Sequence, residues 1–108
     1  MDYRQSMETC LHYIENHLSE PLTVKKLSEA VGYSPFHFSR VFREETGEPL
    51  YRYVQQKRLS RCHEEIRRGE DPKTIGFRYG YETVSGFLRA YRKKYGVSPL
   101  REERAESK

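Results

Sequence analysis

Residues 32–47 read GYSPFHFSRVFREETG, and residues 80–96 read GYETVSGFLRAYRKKYG. In a chain of 108 residues this near-duplication constrains the fold more than any other feature. Phe38 aligns with Phe87, Arg40 with Arg89, Phe42 with Tyr91, Arg43 with Arg92 and Gly47 with Gly96. Upstream, Leu27 aligns with Ile75, Gly32 with Gly80 and Tyr33 with Tyr81. The repeated unit is helix, glycine turn, helix. A solenoid needs at least three units to cover its ends, so two copies define a paired device instead.

Pro and Gly punctuate the chain into segments of helical apolar spacing, and no useful run alternates with period two. Residues 4–18 carry Met7, Leu11, Ile14 and Leu18 as one expected buried stripe. Thr23 is the expected N-cap of a helix whose stripe is Val24, Leu27, Ala30 and Val31. Ser34 followed by Pro35 starts the next helix, which runs to about Thr46 with Gly47 closing it. A long helix is expected over 49–68, stopped by Gly69, and a shorter one from Asp71 and Pro72 to about Tyr79. The last starts at Glu82 or Thr83 and runs to Tyr95, ended by Gly96.

The expectation is an all-α fold of about seven helices, with two homeodomain-like helix-turn-helix subdomains joined by a long linker helix. The subdomains are expected over 1–48 and 69–100, with the linker over 49–68 and a polar tail over 101–108. The expected core is Leu11, Ile14, Leu27, Val31, Phe38, Val41, Phe42, Val54, Leu59, Ile66, Ile75, Phe87 and Tyr91.

A groove-entering helix needs one apolar face and one free face. In projection at 100° per residue, Val41 and Phe42 fall beside Phe38. Phe36, Arg40 and Arg43 fall on the far side, flanked by His37 and Ser39. In the second copy Ala90 and Tyr91 fall beside Phe87. Ser85, Arg89 and Arg92 lie opposite, with Gly86 and Lys93 adjacent. Both helices therefore hide an aromatic pair and show two arginines one turn apart.

A guanidinium fork can donate two hydrogen bonds to O6 and N7 of guanine, or it can clamp a phosphate. Arg40 and Arg89, central on their faces, are expected at bases, and Arg43 and Arg92 at phosphates. Phe36 is read either as a partly packed surface residue or as a contact to a thymine methyl or a sugar. Ser34 and Thr83 start helices whose backbone N–H groups favour phosphate. His37 and Lys93 complete the expected backbone contacts. A linker of about 20 residues spans about 30 Å, close to the ~34 Å of one DNA turn. One chain could then enter successive major grooves of double-stranded DNA.

The stretch LSEAVGYSPFHFSRVFREETGEPL, a long helix, and TIGFRYGYETVSGFLRAYRKKYGVSP together resemble the DNA-binding domain of the AraC/XylS transcription regulators. The resemblance covers about residues 5–100 and is carried in the second half by the Ile, Gly-Tyr, Phe, Arg, Tyr and Gly-x-Ser-Pro skeleton. It implies base-reading positions at Phe36, Ser39 and Arg40 in the first unit, and at Val84, Ser85, Gly86 and Arg89 in the second. It also implies a bacterial, cytoplasmic regulator, an activator that recruits RNA polymerase.

Most members carry a ligand-sensing or dimerisation domain. None is present here, so the chain is either a stand-alone regulator or a fragment whose tail leads into a missing effector domain. Two departures bear on readout. Val84, Gly86 and Leu88 leave few hydrogen-bonding groups besides Ser85 and Arg89. Gly76 stands where the family has a small Ala, and a mid-helix Gly costs about 1 kcal/mol. Weaker, more promiscuous readout by the second unit is the expectation.

Composition agrees. Apolar residues are 35% of the chain, enough for a modest core, and aromatics are 13%. The net charge of +4 and the isoelectric point near 9.1 suit an anionic partner. The N-terminus has no apolar signal region. No window approaches 18 apolar residues, so no membrane span is expected. Cys10 and Cys62 are expected as free thiols.

His12 and His17 do not share a helix face and His63 adjoins Cys62, so no metal site is expected. With no catalytic Cys–His pair and no Gly-rich phosphate loop, neither an enzyme nor a cofactor is expected. The run KRLSRCHEEIRRGE is read as a solvated charged face, or else as a contact to phosphates or polymerase. The rival to a DNA binder is a helical protein-interaction adaptor without specific DNA binding, for which DNA binding would show little salt dependence.

Overall fold

The computed structural model describes residues 3–100. Among them are six helices and no strand: α1 (Arg4–Asn16), α2 (Val24–Val31), α3 (Pro35–Thr46), α4 (Leu50–Arg67), α5 (Ile75–Arg78) and α6 (Val84–Tyr95). Pro99 and Leu100 are again helical at the end of the described segment. The polar-tail expectation falls on 101–108, outside the described residues. The chain forms two units, one reaching to Lys57 and the other beginning at Arg58, so the division falls inside α4.

In the first unit α1 buries Met7, Cys10 and Ile14, and Leu18 is buried just beyond the helix. Leu11, expected in the core, is only half-buried. Cys10 and Leu11 flank the stripe on opposite sides, 100° apart, and packing selects the cysteine side. Thr23 caps α2 by accepting from the Lys26 N–H at 3.1 Å. On α2 Leu27 is buried, Val31 half-buried and Ala30 exposed, which corrects the expected stripe. Ser28 is buried in their place, its hydroxyl donating to the Lys25 carbonyl at 3.0 Å. That bond is what makes a buried hydroxyl tolerable. Gly32, at φ +77°, turns the chain, and the Tyr33 N–H reaches back to the Ser28 carbonyl at 2.9 Å.

Helix α3 buries Phe38, Val41 and Phe42 completely. Phe42 meets Tyr53 of α4 edge-on with centroids 5.4 Å apart. Leu50 and Val54 complete this core from α4.

The second unit packs Leu59, Cys62 and Ile66 of α4 with Ile75, Tyr79, Phe87 and Tyr91. The helix expected over 71–79 contracts to the single turn Ile75–Arg78. Asp71 is the physical reason: its carboxylate accepts from the Lys73 N–H at 2.9 Å, which holds 72–74 as a turn. The Tyr79 hydroxyl donates to Glu65 at 3.0 Å, and Arg78 lies 3.4 Å from Glu65 and 3.6 Å from Glu70. His63 Nδ1 lies 2.6 Å from the buried Tyr91 hydroxyl, and the His63 ring stacks on Tyr95.

Gly76 is a packing device. A Cβ there would lie 2.6 Å from Cγ and 2.8 Å from Cβ of Phe87, so only glycine lets α6 approach this closely. The expected propensity cost is therefore set against the seating of a fully buried aromatic.

Both cysteines are buried and free. Burial pushes the Cys10 thiol up from 9.0 to about 11. Burial, helped by Glu65, pushes Cys62 up from 9.0 to about 12. Burial and the Glu65 hydrogen bond raise Tyr79 from 10.0 to about 12. All three hold their protons more tightly folded than unfolded. Their stabilisation is complete below the unfolded values and is lost as pH rises through the folded ones. The urea midpoint should therefore fall steadily from about pH 9 to pH 12. Replacing both cysteines by alanine should flatten the first part of that fall. A midpoint level across this range in the parent protein would contradict the assignment.

Candidate nucleic-acid interface

Helices α3 and α6 are built alike. Ser34 caps α3 by accepting from the His37 N–H at 3.1 Å, and Thr83 caps α6 by accepting from the Gly86 N–H at 2.9 Å. Each helix has 12 residues and ends on a left-handed glycine, Gly47 at φ +84° and Gly96 at φ +79°. Substituting a cap of this kind by Ala costs about 1 kcal/mol. Each buries an aromatic pair, Phe38 with Phe42 and Phe87 with Tyr91. That anchoring fixes which face of the helix meets solvent.

On α3 the solvent face presents Phe36, Ser39, Arg40 and Arg43, all exposed, with Phe36 at 83%. His37 is drawn inward instead. Its ring stacks on Tyr33 with centroids 4.8 Å apart, and its Nε2 lies 3.2 Å from the Tyr3 hydroxyl. On α6 the exposed set is Ser85, Arg89, Arg92 and Lys93, with Thr83 exposed at the cap. Val84 and Gly86 are only half-buried, so both keep some surface. A Cβ at Gly86 would lie 3.0 Å from the capping Thr83 oxygen, a tight approach at a place where α3, capped in the same way, carries His37.

Arg40, Arg43, Arg89 and Arg92 make no ion pair among the described residues. Some arginines elsewhere differ. Arg61 lies 3.8 Å from Glu64, and Arg78 is engaged by Glu65 and Glu70. The face of α4 is thus partly self-neutralised, whereas these four arginines of α3 and α6 stay available to an anion.

Two open grooves extend these faces. One runs beside α3, with Thr23, Ser39, Arg43, Pro49 and Tyr51 among its lining. Tyr51 is 71% exposed and was not among the expected site residues. Its signal was present: it lies 100° from Leu50 on α4, off the stripe that Leu50 and Val54 bury. The other groove, beside α6, is lined by Leu88, Arg89, Arg92, Lys93 and Ser98. Among the described residues no group of His, Cys, Asp and Glu could hold a metal ion, and no helix is long and apolar enough to cross a membrane.

A short helix, a glycine turn and a capped second helix that shows unengaged arginines define a helix-turn-helix nucleic-acid binder, here present twice. The profile of the "Helix-turn-helix domain" family matches residues 27–105. The multiple antibiotic resistance protein MarA of Escherichia coli (strain K12) is 30% identical over 95 residues, which cover 87% of this chain and 75% of MarA. The regulatory protein SoxS of Salmonella typhimurium is 30% identical over 100 residues, covering 92% of this chain and 94% of SoxS. The crystal structure of an AraC-type transcriptional regulator from Chromobacterium violaceum superposes with a TM-score of 0.86 at 25% identity, covering 95% of this chain and 92% of that one. The chain belongs to the AraC/XylS family of DNA-binding transcription regulators, and its function is transcription regulation, not catalysis.

Proposed function

We propose that this protein activates transcription by inserting two recognition helices, about 35–46 and 83–95, into successive major grooves of one operator. The observation that carries this reading is the parallel construction of α3 and α6, each anchored by a buried aromatic pair and each showing two exposed arginines. Arg40 and Arg89 donate to base edges, joined by Phe36, Ser39, Val84, Ser85 and Gly86. Arg43, Arg92 and Lys93 hold phosphates, and the capped helix starts at Ser34 and Thr83 direct backbone N–H groups at them. His37, tied to Tyr3 and Tyr33, reaches the backbone only through its remaining surface. The working division is a first subdomain over 1–48, a linker helix over 49–68 and a second subdomain over 69–100. RNA polymerase is the second partner, the cytoplasm is the site of action, and any effector-sensing domain lies outside this sequence.

Selection from a random duplex pool tests this, followed by anisotropy titrations of the winning and a scrambled duplex from low to moderate salt. The expected winner holds two short motifs about one helical turn apart and is bound with a steep loss of affinity on adding salt. Binding without salt dependence or sequence preference would favour the protein-interaction adaptor instead.

A further inference from the structure

We infer that the two units divide the work unequally: the second supplies most of the phosphate attraction and reads its motif loosely, and the first carries most of the sequence choice. This rests on the DNA-binding reading above and apportions it between the two halves.

The charges are unequally shared. Residues 1–57 contain seven Lys and Arg against eight Asp and Glu, a net −1. Residues 58–108 contain 13 against eight, a net +5. The contrast is sharpest on the duplicated helices. Where α3 ends on the exposed Glu44 and Glu45, the aligned positions of α6 are Lys93 and Lys94. The last turn of α6 carries three cations and that of α3 only Arg43. Lys94 is held, its Nζ donating to Ser60 Oγ at 3.0 Å, so it contributes field more than contact. Arg89, Arg92 and Lys93 line the groove beside α6 together with Ser98 and Leu88. Arg92 and Lys93 on one open groove suit a sugar-phosphate backbone, with Arg89 beside them left for a base edge.

The base-reading groups do not follow the charge. In the alignment Ser39 of α3 corresponds to Leu88 of α6, His37 to Gly86 and Phe36 to Ser85. A base edge is read by donors and acceptors aimed at it. In hydrogen-bonding groups the two units are even, Ser39 and Arg40 against Ser85 and Arg89, but the first adds the exposed Phe36, which can meet a thymine methyl. Phosphate attraction, in contrast, is blind to sequence and sensitive to salt. Acidic side chains in the last turn of α3 lower the first unit's background attraction for any duplex, which leaves its binding more dependent on the right bases.

The test uses the full chain, the selected duplex and a scrambled duplex, titrated at several salt concentrations. Arg92→Ala with Lys93→Ala should weaken both duplexes by a similar factor and reduce the salt slope by about two, at about 0.9 per phosphate. The affinity ratio between the duplexes should stay within about threefold of the parent's. Arg40→Ala should cut that ratio by roughly tenfold or more and change the slope by no more than about one. Glu44→Lys with Glu45→Lys should tighten the scrambled duplex by roughly tenfold and steepen the slope. Circular dichroism checks that each variant is folded. The inference is overturned if the Arg92/Lys93 variant loses the ratio, or if its slope is unchanged. It is equally overturned if the charge reversal leaves the scrambled duplex unaffected. A parent protein that itself shows neither selectivity nor salt dependence would instead remove the DNA-binding reading beneath it.

Discussion

Arg40→Ala should lower affinity for the selected duplex by roughly 5- to 150-fold, the 1–3 kcal/mol of one bidentate base contact. The loss should be confined to one or two base positions, where the variant accepts substitutions that the parent rejects. Arg40 is exposed opposite the buried Phe38, Val41 and Phe42, and it has no ion pair among the described residues to give up on binding. Arg43→Ala provides the contrast. It should weaken all duplexes alike and reduce the salt slope by about one. The measurement is anisotropy against a panel of single-base variants of the selected site. If Arg40→Ala behaves as Arg43→Ala is expected to, Arg40 is a phosphate clamp and the first unit reads sequence by other groups.

The second large effect concerns folding. Gly76→Ala drives a methyl to within 2.6 Å of the Phe87 ring carbon Cγ. Phe87 cannot step aside freely, because it packs on Tyr81 with centroids 5.4 Å apart and on Tyr91 with centroids 5.8 Å apart. Overpacking of this kind costs about 1–3 kcal/mol, partly offset by up to about 1 kcal/mol of helix propensity. A net loss of about 1–2 kcal/mol in urea unfolding is expected. Phe87→Ala alone should cost about 3–5 kcal/mol. In the Phe87→Ala background the added methyl at residue 76 finds space, so its cost should vanish, and the double-mutant cycle should report that coupling. A Gly76→Ala protein as stable as the parent would mean that α5 moves away at no cost.

The boundaries of α2, α3 and α6 were legible because their caps are local. Thr23, Ser34 and Thr83 accept from N–H groups three residues on, and Gly32, Gly47 and Gly96 adopt left-handed conformations that other residues resist. The buried aromatic pairs were legible for a similar reason, since a 3.6-residue period puts them on one face. The four arginines opposite those pairs followed directly. Less was visible where neighbours compete. Cys10 and Leu11 stand on either side of one stripe, and only the packed partners decide that the cysteine is buried. The short α5 was overdrawn because the Asp71 turn consumes residues whose spacing alone reads as helix.

The sequence by itself determined that this chain is helical, that it carries one helix-turn-helix twice, and which faces of α3 and α6 meet solvent. Those properties depend on period, caps and turn residues within a few positions of one another. Tertiary structure decided the rest. It drew His37 inward onto Tyr33 and Tyr3, placed Tyr51 on the rim of the groove beside α3, and gave Gly76 its purpose under Phe87. Each of these is a contact between residues on different elements. Periodicity along one helix says which way a side chain points; what lies within reach of it is fixed only when the helices pack.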